Sequence, residues 1–404
     1  MKKKKRQPER QTHVVLFVCL AMAVASLACF GAWQWMANLL VSQKAAQRWE
    51  GDGDMAFSQI SCFLPSDKKI GLKEVSTFRS DAVKKLQGAS LDVTGNKQLM
   101  LDAWSTSAKL YTSGENGRGQ ASVIAVGGNY FDFHPLQLLS GDYIRQSDLM
   151  QDRIVLSEDV AWMLFGGTNL AGMSMKLNGV PFVIAGVVRP EQDFASRKAS
   201  NESLDLYMSY DALLQFDENA KISCYEFLMA EPVKDFARNV AVDKFPIGTG
   251  EIICNTTRYQ YSNMMSLALH FGARGSETSG AAVPYWENAA RRTENLSAAC
   301  CAAGTLLLLF PFAMAVAWLV QNGKRVKVKM EDEILPNVKE KTEEAIRVRQ
   351  RRRWERQHGA HENPPGSIVV EEIPDDEPAD DEPADGDRSD RPVLPYRADA
   401  AADR

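Results

Sequence analysis

The chain has 404 residues, 45% hydrophobic and 25% charged, and its formal net charge of −5 divides into a basic N-terminal tip, a mixed middle and an acidic tail. This length predicts two or three structural units. The seven cysteines show no Cys-x-x-Cys or Cys/His zinc spacing, and no GxxxxGK[ST] phosphate loop occurs, so the sequence excludes a zinc module of that kind and a P-loop ATPase.

The first long apolar stretch predicts transmembrane helix 1 and a stalk that continues it, over residues 13–50. The stretch begins near Val14 and stays almost free of charge as far as Val41, whereas about 20 apolar residues suffice to cross a bilayer core. No Pro or Gly then interrupts the chain before Gly51, so we expect the helix to run on beyond the membrane. A basic, cytoplasmic N-terminus, residues 1–12, precedes it.

Two other interpretations of this stretch stay open. A cleaved signal peptide has an apolar core of about 7–15 residues, which is shorter than the one found here. A lipid-anchored Cys29 would put Ser26-Leu27-Ala28-Cys29 in a lipobox, although Ser26 stands where an aliphatic residue is expected. Either alternative would change how the chain is anchored.

The second long apolar stretch predicts a stalk and transmembrane helix 2, over residues 285–320. The segment YWENAARRTENL leads from Tyr285 without a helix breaker into an apolar run from Leu296 to Val320. Each predicted helix has about 35 residues and a length of about 50 Å, whereas a bilayer core takes only about 30 Å. The excess length predicts a two-helix stalk, and Pro311 is expected to kink the second helix inside the membrane.

Positive charge beside the two spans predicts the orientation of the chain. Lys and Arg favour the cytoplasmic side of a membrane, and they crowd both the N-terminal tip and the segment after the second span. Arg291 and Arg292, on the other flank of the second span, oppose this assignment but are outnumbered. We therefore expect a two-span cell-membrane protein with both termini in the cytoplasm and residues of about 44–294 outside it.

The C-terminal segment is almost entirely polar. Residues 321–358 predict a charged cytoplasmic helix with a basic cluster from Arg347 to Arg356, and residues 359–404 form an acidic, low-complexity tail that we expect to be disordered. The basic cluster has the charge to bind anionic lipid headgroups or nucleic acid. A solvated helix paired loosely with its own acidic tail is the favoured alternative. Among partners of the whole chain, membrane lipid is expected and nucleic acid is not.

Residues 51–284 are numerous enough to bury a core, and they predict an extracytoplasmic α+β domain of two subdomains. The pair Asn178-Gly179 between alternating apolar runs predicts a β-hairpin. Pro181 is expected to put the second strand of this hairpin at an edge or to delay its pairing by a residue.

Five further elements of this domain are predicted from capping residues, apolar spacing and helix or strand breakers. A short helix is expected between an N-cap at Ser157 and a stop at Gly166. A longer helix is expected to carry on one face Leu72, Val75, Phe78, Val83 and Leu86. Another is expected to start near Pro232 with, on one face, Val233, Phe236 and Val240. The segment TRYQYSNMMSLALHFG predicts a helix that ends at Gly272, and ASVIAV predicts a strand that breaks at Gly127.

No residue pattern predicts an active site, a metal site or a cofactor, so no enzyme activity is expected. His134 is the first candidate for chemistry, but it lacks a partner motif and is predicted to be a turn or core residue. Helix capping accounts for the cluster Ser157-Glu158-Asp159. Of the cysteines outside the spans, Cys224 and Cys254 are the candidate pair for a disulfide, with unpaired buried thiols as the open alternative.

The stretch from Ala121 to Val188 resembles the MacB-like periplasmic core domain of FtsX-related ABC transporter permeases. That family has a strand, a "yF…l.ll.G" turn and the string "d…VvlsE..A..LFG…..G..i.inG..f.VvGVv". The matching residues include Tyr130, Phe131, Leu138, Leu139, Gly141, Asp148, Val155, Leu156, Ala161, Leu164, Phe165, Gly166, Gly172, Asn178, Gly179, Phe182, Gly186 and Val187.

This resemblance implies a membrane subunit of an ABC-type export or cell-envelope complex that acts by mechanotransmission. Its partners would be a separate ABC ATPase and either other permease subunits or a second copy of the chain. The chain departs from the family in having two spans where its members usually have four. The stalk residues expected to couple motion are Trp33, Trp35, Trp49, Tyr285, Trp286, Asn288, Arg291 and Arg292. The alternative function is a non-transporting scaffold or sensor whose outer domain binds a ligand or partner protein.

Overall fold

The computed structural model describes residues 6–51, 53, 55–65, 67–68, 70–91, 98–145, 148, 150–200, 205–270, 283–329 and 335–358. The helices in these ranges are α1 Arg6–Ala37, α2 Ala45–Glu50, α3 Leu72–Gly88, α4 Tyr130–Phe133, α5 Glu158–Phe165, α6 Phe194–Ser200, α7 Tyr210–Leu213, α8 Phe236–Lys244, α9 Tyr261–Leu269, α10 Tyr285–Lys329 and α11 Leu335–His358. The strands are β1 Phe57–Phe63, β2 Met100–Ser113, β3 Arg118–Gly128, β4 Gln137–Gly141, β5 Arg153–Ser157, β6 Ser174–Leu177, β7 Val180–Arg189, β8 Asp205–Ser209, β9 Cys224–Ala230 and β10 Glu251–Cys254. The chain forms two units, Met1–Gln321 and Asn322–Arg404, and the second contains the end of α10 and α11.

The ten described strands form one mixed sheet, which together with its helices is called the sheet domain below (residues 55–270). Its strand order is β10-β1-β9-β2-β3-β8-β5-β7-β4, with β6 paired to both β2 and β7. Pairing is antiparallel except between β3 and β8 and between β5 and β7. This architecture confirms the predicted α+β class.

Two hydrophobic cores lie along this single sheet. The larger core contains side chains of β1, β9 and β2 together with the buried face of α3, where Phe78 contacts the rings of Tyr225 and Phe245. The smaller core contains side chains of β5, β7 and β8 with α5, including Leu164 and Phe182. The described residues of this domain therefore form one sheet with two hydrophobic cores, and the division into two subdomains stays a prediction.

Two helices are long and apolar enough to cross a membrane, within His13–Ala37 and Tyr285–Gly323. Most of their large apolar side chains are exposed, as lipid-facing side chains would be. Helices α1 and α10 meet at small residues. The Ser26 hydroxyl of α1 donates a hydrogen bond of 2.8 Å to the Gly304 carbonyl oxygen of α10. A Cβ on Gly304 would lie 3.3 Å from the Cβ of Cys29, so only a small residue allows this approach.

The prediction that the first helix runs unbroken to Gly51 is wrong. Helix α1 ends at Ala37, and a 3-10 turn over Val41–Lys44 precedes α2. The chain turns here because Leu40 is 4% exposed, packed with Ala289 and Ala290 of α10. Tertiary burial thus overrides local helix propensity. Helix α10, in contrast, runs from Tyr285 to Lys329 with Pro311 inside it.

The buried Gln59 of β1 fixes the new chain direction after this break. Its side-chain amide donates to the Ser42 carbonyl oxygen at 2.8 Å, and its side-chain oxygen accepts from the Ala45 backbone N–H at 2.9 Å. These bonds satisfy backbone groups that the interrupted helix leaves without intrahelical partners. The segment after α1 is therefore attached to the sheet rather than standing free as a stalk.

Three predicted helices differ from the observed ones in detail. In α3 the buried residues are Val75, Phe78, Ala82 and Leu86. Of the predicted face, Val83 is therefore only half-buried and Leu72 is exposed. Helix α8 begins at Phe236, so Val233 lies before it and is exposed. Helix α9 ends at Leu269, and Gly272 lies outside the described residues.

The local predictions for the hairpin and the short helix are confirmed. Asn178 and Gly179 have φ values of 45° and 87° between β6 and β7, as a type I′ turn requires. Pro181 pairs only with β6, and β7 pairs with β5 only from Val183 onward. Helix α5 lies between the predicted caps, and Gly166 adopts a left-handed conformation.

The two candidate disulfide partners are free thiols. Cys224 pairs with Phe63 on one side of β1, whereas Cys254 pairs with Ile60 on the other. Strand β1 therefore separates the two side chains. Burial raises the pKa of the Cys224 thiol well above its ordinary value, so this cysteine is protonated at neutral pH.

Candidate functional site: the junction of the sheet domain and α10

Helix α10 enters the sheet domain with one buried face. Pro284 precedes the helix, and its carbonyl oxygen accepts hydrogen bonds from the backbone N–H groups of Glu287 and Asn288. Proline suits this position because the first helical N–H groups lack intrahelical partners. The buried residues of this first segment are Trp286, Glu287, Ala289, Ala290, Arg291, Thr293 and Glu294. A helical end with three buried charged side chains needs partners for each of them.

Arg258, in the loop after β10, supplies the central partner and is 3% exposed. Its guanidinium donates to both carboxylate oxygens of Glu287, at 2.8 Å each. It also donates to Glu294 at 3.0 and 2.9 Å, seven residues further along α10. One side chain of the sheet domain therefore holds two successive turns of α10 through charge-assisted hydrogen bonds.

Arg291 extends this contact to the sheet edge. Its Nε donates to Glu287 at 2.9 Å, and its terminal nitrogen donates to Glu251 of β10 at 2.6 Å. Glu287 is thus shared by two guanidinium groups. Burial alone would lower the pKa of Arg258, but the carboxylates of Glu287 and Glu294 raise it well above its ordinary value, so this arginine stays charged.

The network continues from Arg258 through the sheet. Asn255 accepts from Arg258 at 3.4 Å and donates to the Ser61 hydroxyl at 2.8 Å. Ser61 donates to Glu226 of β9 at 2.7 Å, and the other carboxylate oxygen of Glu226 lies 2.5 Å from Nε2 of His134. We call the set Arg258, Glu287, Glu294, Arg291, Glu251, Asn255, Ser61, Glu226 and His134 the junction network.

Aromatic rings connect the His134 end of the junction network with Trp286 of α10. The ring centroid of His134 lies 4.6 Å from that of Tyr130 and 4.6 Å from that of Trp286. The Trp286 ring also contacts Tyr285, whose hydroxyl is 3.5 Å from the hydroxyl of Tyr207 in β8. His134 is therefore a core histidine, as predicted. Within the described residues no three His, Cys, Asp or Glu side chains are grouped as a metal site would require.

The predicted stalk residues occupy different places. Trp286 and Arg291 belong to the junction, and Tyr285 contacts it. Arg292 is exposed and donates to the Lys198 carbonyl oxygen at 3.1 Å, while Asn288 bonds only within the start of its own helix segment, to Val283.

The three tryptophans on the first stretch lie apart from the network. Trp49 donates to the Gln98 carbonyl oxygen at 3.1 Å. Trp35 is exposed and stacks on Phe194 at 6.4 Å, and Trp33 packs beside α9, 6.3 Å from Tyr261. The structure thus brings together Tyr285, Trp286 and Arg291 and leaves the other five predicted stalk residues elsewhere.

The family-motif residues have structural roles at turns and close contacts. A Cβ on Gly141, at φ +75°, would lie 2.0 Å from the Ala185 carbonyl oxygen, and one on Gly186 would lie 2.5 Å from the Asp142 carbonyl oxygen. Gly172, with φ +85°, has open space around it. Phe165 belongs to the smaller core, and Asn178 accepts from the Tyr111 backbone N–H at 2.9 Å.

Sequence reasoning missed most of the junction network, including Arg258, Glu226 and Asn255. One signal was present: Glu287, Arg291 and Glu294 recur at intervals of four and three residues, which places them on one helical face. Their partners were not predictable, because Arg258 lies 29 and 36 residues from its two carboxylates.

The model of the MacB-like periplasmic core domain family matches residues 18–241, more than half of the chain. Two solved structures are similar to this chain. The periplasmic region of MacB from Actinobacillus actinomycetemcomitans has 20% identity and a TM-score of 0.35 over 50% of this chain and 91% of that one. The extracellular domain of the noncanonic ABC-type transporter YknZ from Gram-positive bacteria has 14% identity and a TM-score of 0.31 over 49% and 99%. No curated protein matches significantly.

Proposed function

Since the chain belongs to the family of MacB-like periplasmic core domains, we propose that it is a membrane subunit of an ABC-type export or cell-envelope complex. A separate ATPase drives it, and it passes conformational change across the membrane rather than catalysing a reaction. The sheet domain lies outside the cytoplasm, and both termini lie inside. The Lys and Arg excess beside both spans supports this orientation.

One observation carries the proposal: α10 joins the junction network to the apolar span without a break. From Tyr285 through Gln321 the helix is continuous, and at 1.5 Å per residue this part is about 55 Å long. Its buried end is held by Arg258 at two successive turns. A tilt or rotation of the span therefore moves the same helix that is fixed into the sheet domain.

The exposed apolar faces of the spans support an assembly with further membrane subunits. Along the membrane segment of α10, Leu306 is 67% exposed and Val320 is 79% exposed, whereas α1 packs closely at Gly304. These faces are covered by lipid, by other permease subunits or by a second copy of this chain. The basic helix α11 is available on the cytoplasmic side for contact with the ATPase or with anionic lipid.

Affinity purification of the full chain from its native membrane in mild detergent tests the assembly. The expected result is co-purification of an ABC ATPase whose ATP turnover depends on the presence of this subunit. Recovery of the chain with neither an ATPase nor another permease subunit would overturn the proposal and favour a scaffold or sensor. A matched pair of insertions then tests transmission through α10.

The insertions place four Gly or four Ala residues after Asn295, which is one residue beyond the junction network. Both variants shift the span by the same length and rotation, but only the glycine variant makes the helix flexible. A fluorophore on Val242→Cys, an exposed position of α8, reports movement of the sheet domain relative to the membrane surface. The ATP-dependent movement should be larger in the alanine variant, and equal movement in both variants would contradict a mechanical role for α10.

A further inference from the structure

Helix α9 packs beside the two membrane helices, below the level of the junction network. Met264 is fully buried against Ala298 and Cys301 of α10, and the partly buried Trp33 of α1 belongs to the same cluster. The Tyr261 hydroxyl lies 3.2 Å from the Thr305 hydroxyl. These contacts are with the apolar part of α10, which begins at residue 296, and not with its charged first segment.

The length of the two spans fixes how deep these contacts lie. About 20 helical residues cross a bilayer core. Counted from Val14 on α1, that length ends at Trp33, and counted back from Val320 on α10 it ends at Cys301. Thr305 lies one turn below Cys301, or about 6 Å further into the membrane. The partners of α9 are therefore at the outer boundary of the hydrocarbon core or just within it.

The composition of α9 suits this boundary. The nine residues YSNMMSLAL contain no charged side chain. Two large side chains at its ends are exposed, Tyr261 at 48% and Leu269 at 78%. On another face, Asn263 and Ser266 border a polar groove of about 530 Å³ that also contains Arg258. A helix with an apolar face, a polar face and a tyrosine at its end is typical of the membrane–water interface.

A second aromatic contact marks the same level on α1. Trp35, two residues above Trp33, is 59% exposed and stacks on Phe194 of α6. Arg197 and Lys198 follow in the last turn of this short helix. Aromatic rings with basic residues just above them are the usual composition of a lipid headgroup region.

From this placement we propose that α9 is an interfacial helix embedded in the outer leaflet of the membrane, with Leu269 and Tyr261 in contact with phospholipid. The inference rests on the proposed membrane topology and goes beyond it: the sheet domain is attached to the bilayer surface at α9 as well as through α1 and α10. Helix α9 then moves with the leaflet, whereas the strands of the sheet domain are in water.

Spin-label accessibility in the full-length chain tests the proposal. The chain is reconstituted in vesicles of phosphatidylethanolamine and phosphatidylglycerol after replacement of its native cysteines. Three apolar, exposed positions are labelled one at a time: Leu269→Cys in α9, Val242→Cys in α8 and Leu308→Cys in the span. Collision with oxygen relative to a water-soluble nickel complex then gives the depth of each label.

The expected order of depth is Leu308, then Leu269, then Val242. The label at Leu269 should lie within about 10 Å of the phosphate level, on the acyl-chain side, as found for interfacial helices. A Leu269 label as water-exposed as the one at Val242, with Leu308 in the bilayer, would overturn the inference and leave the topology intact. A water-exposed label at Leu308 would instead overturn the topology from which the inference starts.

Discussion

Replacing Arg258 with methionine should strongly destabilise the sheet domain. The side chain is buried and neutralises Glu287 and Glu294, which are 3% and 5% exposed. Without it, the single guanidinium of Arg291 remains beside the carboxylates of Glu287 and Glu251, and Glu294 loses its bond to Arg258. Removing one partner of a buried ion pair costs about 3–5 kcal/mol, because the other charge is left without compensation.

A loss of this size is measurable as a shift in unfolding temperature. For a domain of about 200 residues, 1 kcal/mol corresponds to about 2–4 °C, so Arg258→Met should lower the midpoint by about 10 °C. Circular dichroism of the detergent-solubilised full chain at a fixed scan rate measures the midpoint. The matched control is Arg292→Met on α10, where an exposed side chain makes one hydrogen bond to a carbonyl and the expected change is within about 0.5 kcal/mol.

A triple variant separates uncompensated charge from lost packing. Combining Arg258→Met with Glu287→Gln and Glu294→Gln removes the two carboxylates together with their cation. Replacing a whole buried ionic group is often close to neutral, so the triple variant should recover at least half of the lost stability. A shift below about 3 °C for the single variant, or a triple variant no more stable than the single one, would refute the electrostatic reasoning.

The other predictions concern helix contact, pH and glycine strain. Gly304→Cys should form a disulfide with Cys29 on mild oxidation, because the two Cβ atoms would lie 3.3 Å apart; peptide mass spectrometry detects the bond, and Cys29→Ala should abolish it. Burial raises the pKa of Glu191, so the folded state binds more protons than the unfolded state and stability falls as pH rises through this titration. Glu191→Gln should reduce the decrease in unfolding temperature between about pH 4.5 and about pH 7.5. The same decrease in the variant and the unchanged chain would contradict this prediction. Gly172→Ala should lower the free energy of unfolding by about 1–2 kcal/mol through its positive φ alone. Gly141→Ala should lower it by at least about 2 kcal/mol more, because its Cβ would lie 2.0 Å from a carbonyl oxygen. Equal unfolding midpoints of the two variants would contradict this difference.

Features fixed by neighbouring residues were predictable from the sequence. The turn at Asn178-Gly179 and the N-cap at Ser157 depend on backbone conformations that few residue types adopt, and both were confirmed. The two helices long enough to cross a membrane were also predictable, because the length of an apolar run is read directly from consecutive residues.

Features that depend on distant partners were not predictable. Strand β2 carries the buried polar residues Asp102, Ser105 and Thr106, so it shows no simple alternation of apolar and polar side chains. Asp102 is tolerated there because Arg79 and Tyr225, 23 and 123 residues away, donate to its carboxylate. The same holds for the junction network, since Ser61 and Glu226 are 165 residues apart. A single sequence gives no means of pairing such residues.

Because the chain is interrupted between α1 and α2, the sheet domain is connected to its two membrane helices in different ways. Helix α10 enters it as one continuous helix, whose first turns are bonded to Arg258. The other connection changes direction at residues 38–44, and Gln59 of the sheet is bonded to this segment at Ser42. Under the proposed function, a tilt of α10 would be passed directly to the sheet, whereas a rotation of α1 about its own axis would have to pass through the change of direction at residues 38–44.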